Sequence, residues 1–121
     1  QKTTFGDDSY NFCRKAWLFQ ALYPFFKGEM ERWGVIEWSN KFDCEDFART
    51  FKVLAMACHH RSSGSADGLA VGEIDYLRED GVYHCVNVAF TDVGVVFIEP
   101  QTGKELKLTT KEYDSIYRFR I

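Results

Sequence analysis

An α+β domain, with N-terminal helices packed on an antiparallel β-sheet of about five strands, is the fold class this sequence predicts. Three observations carry that prediction. Apolar residues recur at helical spacing through the first half, at Phe12, Ala16, Phe19, Leu22 or Tyr23 and Phe26, and again at Phe47, Phe51, Leu54, Ala55 and Cys58. The connector Arg-Ser-Ser-Gly-Ser-Ala-Asp-Gly at 61–68 then separates the halves. Beyond it the alternation becomes that of strands, divided by turn signals at 78–81, 91–94 and 102–103. Helices first and a meander afterwards give helices laid on one sheet.

In chain order, Asp7-Asp8 can cap a helix beginning near Ser9, which Pro24 should kink or end and Gly28 should stop. Residues 29–42 read as a short helical turn and then an extended approach holding Trp33 and Trp38. Asp43 is a good N-cap with Asp46 at the capping-box position, so a central helix runs from Cys44 to about His60. His59 and His60 suit the negative end of its dipole and have no further ligand spaced nearby for a metal. Strands follow over 69–77, with Gly72 a candidate bulge, and over 82–90, 95–101 and 104–108. A helical turn near 110–115 precedes a last strand at 116–121.

With 121 residues, 45% hydrophobic and 17% aromatic, the chain suits a single domain over 1–121 with a genuine core. A net charge of −3 disfavours nucleic acid as a partner. No apolar run approaches the ~18–20 residues of a membrane helix, so no membrane partner is expected. The chain begins at Gln1 without a methionine, which leaves upstream residues open. With no export signal visible, a cytoplasmic location and reduced thiols are expected for Cys13, Cys44, Cys58 and Cys85. The even cysteine count leaves a disulfide open with no pairing preferred. Cys13 and Cys58 read as small buried residues in helices. Oligomeric state is not legible.

The chemistry gathers at the start of the central helix. A thiol at the first helical position lies near unsatisfied N–H groups and the positive end of the dipole, which favours a thiolate, while Glu45 and Asp46 oppose it. If Asp92-Val93 is a tight two-residue loop, His84 faces Gln101 and Val86 faces Glu99, all on one side of a hairpin. Glu99 then becomes the diagonal neighbour of His84, and Asn87 points the other way. Cys44, His84 and Glu99 thus form a catalytic nucleophile–base–orienter set, with backbone N–H groups at the helix start as oxyanion donors. Gln101 is an oxyanion or orienting candidate, and Trp38 a wall of the substrate cleft.

The segments Asp43-Cys44-Glu45-Asp46-Phe47-Ala48, Tyr83-His84-Cys85-Val86-Asn87 and Phe97-Ile98-Glu99-Pro100-Gln101-Thr102 resemble the papain-like and transglutaminase-like cysteine peptidase superfamily. The run Ile98-Glu99-Pro100-Gln101-Thr102 is similar to the protease domain of fungal agglutinins related to the Marasmius lectin, with bacterial and phage relatives. The resemblance covers roughly residues 38 to 108. It implies a papain-like fold, Cys44, His84 and Glu99 as the triad, a protein or peptide substrate, and calcium dependence as in the fungal members. The sequence itself requires no cofactor and designates no metal ligands; Asp43, Glu45 and Asp46 read as ordinary acids of a helix start. Trp38 stands where papain-type enzymes carry an oxyanion glutamine, with Asn40 as the substitute. The function expected on these grounds is thiol-dependent hydrolysis of peptide or related amide bonds. The alternatives are a catalytically silent binding or interaction module on the same fold, and a peptidoglycan hydrolase of the NlpC/P60 kind, whose usual small residues after the cysteine are replaced by Glu45-Asp46.

Overall fold

A computed structural model describes residues 2–4, 10–65 and 67–121. Strands β1 (Lys2–Thr4) and β2 (Tyr10–Asn11) lead into a helical stretch made of α1 (Lys15–Trp17), a π-helical turn (Leu18–Leu22) and α2 (Tyr23–Arg32). The central helix α3 is Cys44–Ser62. Then come β3 (Gly68–Leu69), β4 (Val71–Leu77), β5 (Tyr83–Thr91), β6 (Gly94–Glu99), β7 (Lys104–Leu106), α4 (Thr110–Asp114) and β8 (Arg118–Arg120). The main sheet has the order β1-β8-β4-β5-β6-β7. Its five strands from β8 to β7 are mutually antiparallel, as expected, and β1 joins β8 in parallel. A separate parallel pair, β2 with β3, ties the start of the chain to the segment after α3.

Several sequence expectations need correction. The cap at Asp7-Asp8 and the helix start near Ser9 lie outside the described residues, as does Ala66 of the connector. Helix begins only at Lys15, so Phe12 is 73% exposed and Cys13 is buried in a bridge beside Thr91 rather than in a helix. Pro24 neither kinks nor ends the run: it occupies the first turn of α2, directly after the π-helical turn. A proline lacks the N–H and crowds the carbonyl four residues back, and a π turn there removes both demands. Gly28 passes through mid-helix, and the stop falls at Trp33 and Gly34, whose φ is +74°.

In the body of β4 and β5 the odd-numbered residues face α3 and the even-numbered ones face away. On the helix side, Val71, Ala89, Val96 and Ile98 pack with Leu18, Leu22, Phe26, Phe47, Phe51 and Ala55. The rings of Phe26 and Phe51 meet edge to face at 5.1 Å. On the far side, Ile74, Tyr76, Val86 and Val88 pack with Ile116, Phe97 and Phe119. Asn87 sits fully buried between helix and sheet and donates to the carbonyls of Ala48 (2.8 Å) and Gly72 (3.0 Å). Those bonds set the height of α3 over β5.

Gly72 is not a bulge. It pairs in regular register with Val88, and what requires glycine is the carbonyl of Arg120, which any Cβ at this position would overlap. Gly103, at φ +79°, is crowded in the same way by the Tyr23 ring. The turn after β6 is therefore seated directly on α2, which holds the end of β6 in place.

Candidate functional site

The start of α3 forms as its sequence implies. Asp43 is extended at φ −100°, its carboxylate accepts from the Asp46 N–H at 3.3 Å, and the Asp46 carboxylate accepts from the Asp43 N–H at 3.0 Å. This reciprocal box fixes where the helix begins, and with it the position of Cys44. Asp43→Ala is expected to cost about 1 kcal/mol in denaturant unfolding, with most of it restored by Asp43→Asn. A loss of only a few tenths of that amount would show that packing of Phe47 and Phe51 alone anchors the helix start.

The hairpin of β5 and β6 turns through Asp92-Val93 and pairs Asn87 with Ile98, Val88 with Phe97 and Thr91 with Gly94. That register places Glu99 diagonally beside His84, and His84 Nε2 lies 2.6 Å from Glu99 Oε1. The second oxygen of Glu99 accepts the Gln101 backbone N–H at 3.2 Å, so both carboxylate oxygens are held. The other side of the ring is met by the Cys44 thiol, which hydrogen-bonds to it. Tyr76 closes over the ring edge to face at 6.0 Å. Burial disfavours the charged imidazole, yet hydrogen bonding to Cys44 and Glu99 and their negative charge outweigh it and push His84 up to about 9. Around neutral pH the ring is thus a held imidazolium between a sulfur and a carboxylate.

Not every candidate joins this cluster. Gln101 contributes its backbone rather than its side chain. Trp38 stands 52% exposed in the loop before α3. Among the described residues the Asn40 side chain makes no hydrogen bond to Cys44, His84 or Glu99. Of the acids of the helix start, Asp43 and Asp46 are engaged in the capping box, and Glu45 faces Arg49 at 3.9 Å. Among the described residues no three His, Cys, Asp or Glu side chains converge as metal ligands.

Two features of the site go beyond what the motifs imply. Glu73 and Asp75, nearly fully buried on the helix side of β4, draw Arg120 to 3.0 Å of Glu73 and Arg118 and Arg120 to 3.6 Å of Asp75. Their odd parity beside apolar Ile74 and Tyr76 is readable as a charged inner row, but only β8 shows what it pairs with. The second is a tyrosine platform. Tyr83 (66% exposed) and Tyr117 (41%) meet edge to face at 5.5 Å and line a groove of ≈ 380 Å³ with Leu77 and Ser115. Tyr83 continues the row of Asn87 and Cys85 beyond the start of α3. Burial first, then the charge of Asp75, raises the Tyr117 phenol, with Glu45 adding to the effect; Tyr83 is the chain neighbour of His84.

No family model and no curated protein matches the chain. Solved structures do share its fold. One is Polyporus squamosus lectin bound to the human-type influenza-binding epitope Neu5Acα2-6Galβ1-4GlcNAc, with a TM-score of 0.75 and 21% identity. Another is a PSL1a-E64 complex, with a TM-score of 0.78 and 21% identity. Each match covers 99% of this chain and 42% of the solved chain, so this chain spans about two-fifths of their length. These neighbours overturn the family expected from the motifs. The fold is that of part of a lectin chain, and neither the papain-like or transglutaminase-like peptidase assignment, nor its bacterial and phage relatives, nor thiol-dependent hydrolysis of peptide or amide bonds is carried forward. The agglutinin-related part of the resemblance agrees loosely with them. The physical reason is that a capped helix laid over a hairpin brings a thiol, an imidazole and a carboxylate together whatever the assembly is used for. No described helix is long and apolar enough to cross a membrane.

Proposed function

We propose that this chain is a ligand-binding module whose ligand is a glycan, seated at the start of α3 between the Cys44–His84–Glu99 cluster and the Tyr83–Tyr117 platform. The observation that carries the reading is the fold shared over nearly the whole chain with a lectin chain. The site chemistry supports it. Aromatic rings offer faces for the C–H side of a sugar ring. The first backbone N–H groups of α3 and the Glu45 carboxylate offer donors and an acceptor for hydroxyl groups, beside the charge of the held imidazolium. In this reading Cys44, His84 and Glu99 are the polar centre, and the Gln101 backbone N–H holds the Glu99 carboxylate in place.

Calorimetry with Neu5Acα2-6Galβ1-4GlcNAc and with Galβ1-4GlcNAc, after a glycan array, tests this. Binding of at least one glycan is expected, weakened about tenfold (about 1.4 kcal/mol) by Tyr83→Ala or His84→Ala. Trp33→Ala, in the exposed loop after α2, should leave it unchanged. No binding on the array, or binding indifferent to Tyr83 and His84, would remove the reading. So would Cys44-dependent turnover of a peptide library.

A further inference from the structure

We infer that Cys44 and Cys85 form a paired-thiol site of oxidative modification, closing as a disulfide between the start of α3 and β5 when the protein meets a peroxide. The pairing follows from how the helix lies on the strand. Asn87 reaches the carbonyl of Ala48 at 2.8 Å, which fixes one point of contact between α3 and β5. One helical turn back from Ala48, about 6 Å toward the helix start, is Cys44. Two residues back from Asn87 on the same face of β5, about 6.7 Å in the same direction, is Cys85. Cys44 therefore lies over Cys85 as Ala48 lies over Asn87. In agreement, the charge of Cys44 is felt at the buried Cys85 thiol, which burial and the Asp75 carboxylate hold well above the usual range. Asp75 receives the Cys85 S–H.

The other cysteines are out of range. Cys58 is fourteen residues along α3 from Cys44, roughly 21 Å at 1.5 Å per residue. Cys13 pairs with Thr91 at the opposite end of β5, and burial together with Asp92 pushes it up to about 12. Cys44 is half-buried and so within reach of a small oxidant, whereas Cys85 is almost fully enclosed.

The chemistry balances. The Cys44 thiolate attacks one oxygen of hydrogen peroxide and the O–O bond breaks. The departing hydroxide takes the His84 proton as water, leaving a sulfenic acid at Cys44. Cys85 gives its proton to Asp75 and its sulfur attacks the Cys44 sulfur. The S–O bond breaks, and that hydroxide takes the Asp75 proton as a second water. Two thiols lose two electrons and one peroxide becomes two waters. The disulfide would remove the Cys44 sulfur from the His84 ring, and a dithiol reductant would return it.

The test is peroxide treatment of the intact chain, alkylation of remaining thiols under denaturing conditions, and peptide mass analysis. A species lighter by two hydrogens and a peptide bridging Cys44 to Cys85 are expected, both reversed by dithiothreitol. In Cys85→Ser, dimedone should trap on the order of tenfold more sulfenic acid at Cys44 than in the parent, because nothing resolves it. Cys85→Ala, checked for a native circular dichroism spectrum, gives the same readout should the serine disturb the interior. Equal dimedone yields in parent and variant would overturn the inference, as would bridges from Cys44 to Cys13 or Cys58. The readout is independent of glycan binding.

Discussion

Gly72→Val is expected to destabilise the fold by about 3 kcal/mol or more, a large part of the roughly 5–15 kcal/mol that holds a domain together. A Cβ at this position would overlap the Arg120 carbonyl oxygen and stand 2.8 Å from a carbon of the Ile121 side chain. The backbone oxygen cannot rotate away, so β8 must shift or detach. Because Arg120 pairs with Glu73 in register and bonds it at 3.0 Å, the shift would also unpair two carboxylates buried under α3. Denaturant unfolding measures the loss, and an Ala variant should fall between parent and Val. A loss below about 0.5 kcal/mol in Gly72→Val would mean that β8 yields freely and contributes little to the sheet.

The His84 ring is expected to titrate with a midpoint near 9 when followed by NMR of its carbon-bound protons. Burial by itself lowers the ring's affinity for its proton, and Cys44 and Glu99 reverse that. Glu99→Gln and Cys44→Ser should therefore each lower the midpoint, and the double variant should fall below the ordinary 6.5 because burial alone remains. The folded ring holds its proton more tightly than the unfolded one, so its contribution to stability is fully present below pH 6.5. It is lost as pH rises from 6.5 through about 9. Up to about 3 kcal/mol of stability would disappear over that window. Unfolding at pH 6 and pH 9.5 checks it, with His84→Gln removing most of the difference. A pH-independent stability over this range, or a midpoint at 6.5 or below in the parent, would mean that the thiol and carboxylate do not act on the ring as the geometry implies.

The start of α3 was readable because a capping box is a relation between residues three apart. Asp43 and Asp46 could be paired without knowing anything else. The His84–Glu99 contact was readable because a two-residue turn at Asp92-Val93 sets the register of both arms. By contrast, the passage of helix through Pro24 and Gly28 was not legible, since a π turn depends on what the stretch packs against. Nor was the parallel edge strand β1, or the need for glycine at 72, because each is set by β8, which arrives far later in the chain than Gly72.

The sequence by itself determined an α+β fold, a capped helix opening on Cys44, and a hairpin that carries His84 and Glu99 on one face. These depend on local hydrogen bonds and side-chain alternation. Only the tertiary structure decided that Cys44 meets the His84 ring, that Tyr83 and Tyr117 meet edge to face, and that the whole resembles part of a lectin. Those are contacts between segments distant along the chain. They are set by how α3 and β8 close around β4 and β5, and no single stretch encodes that closure.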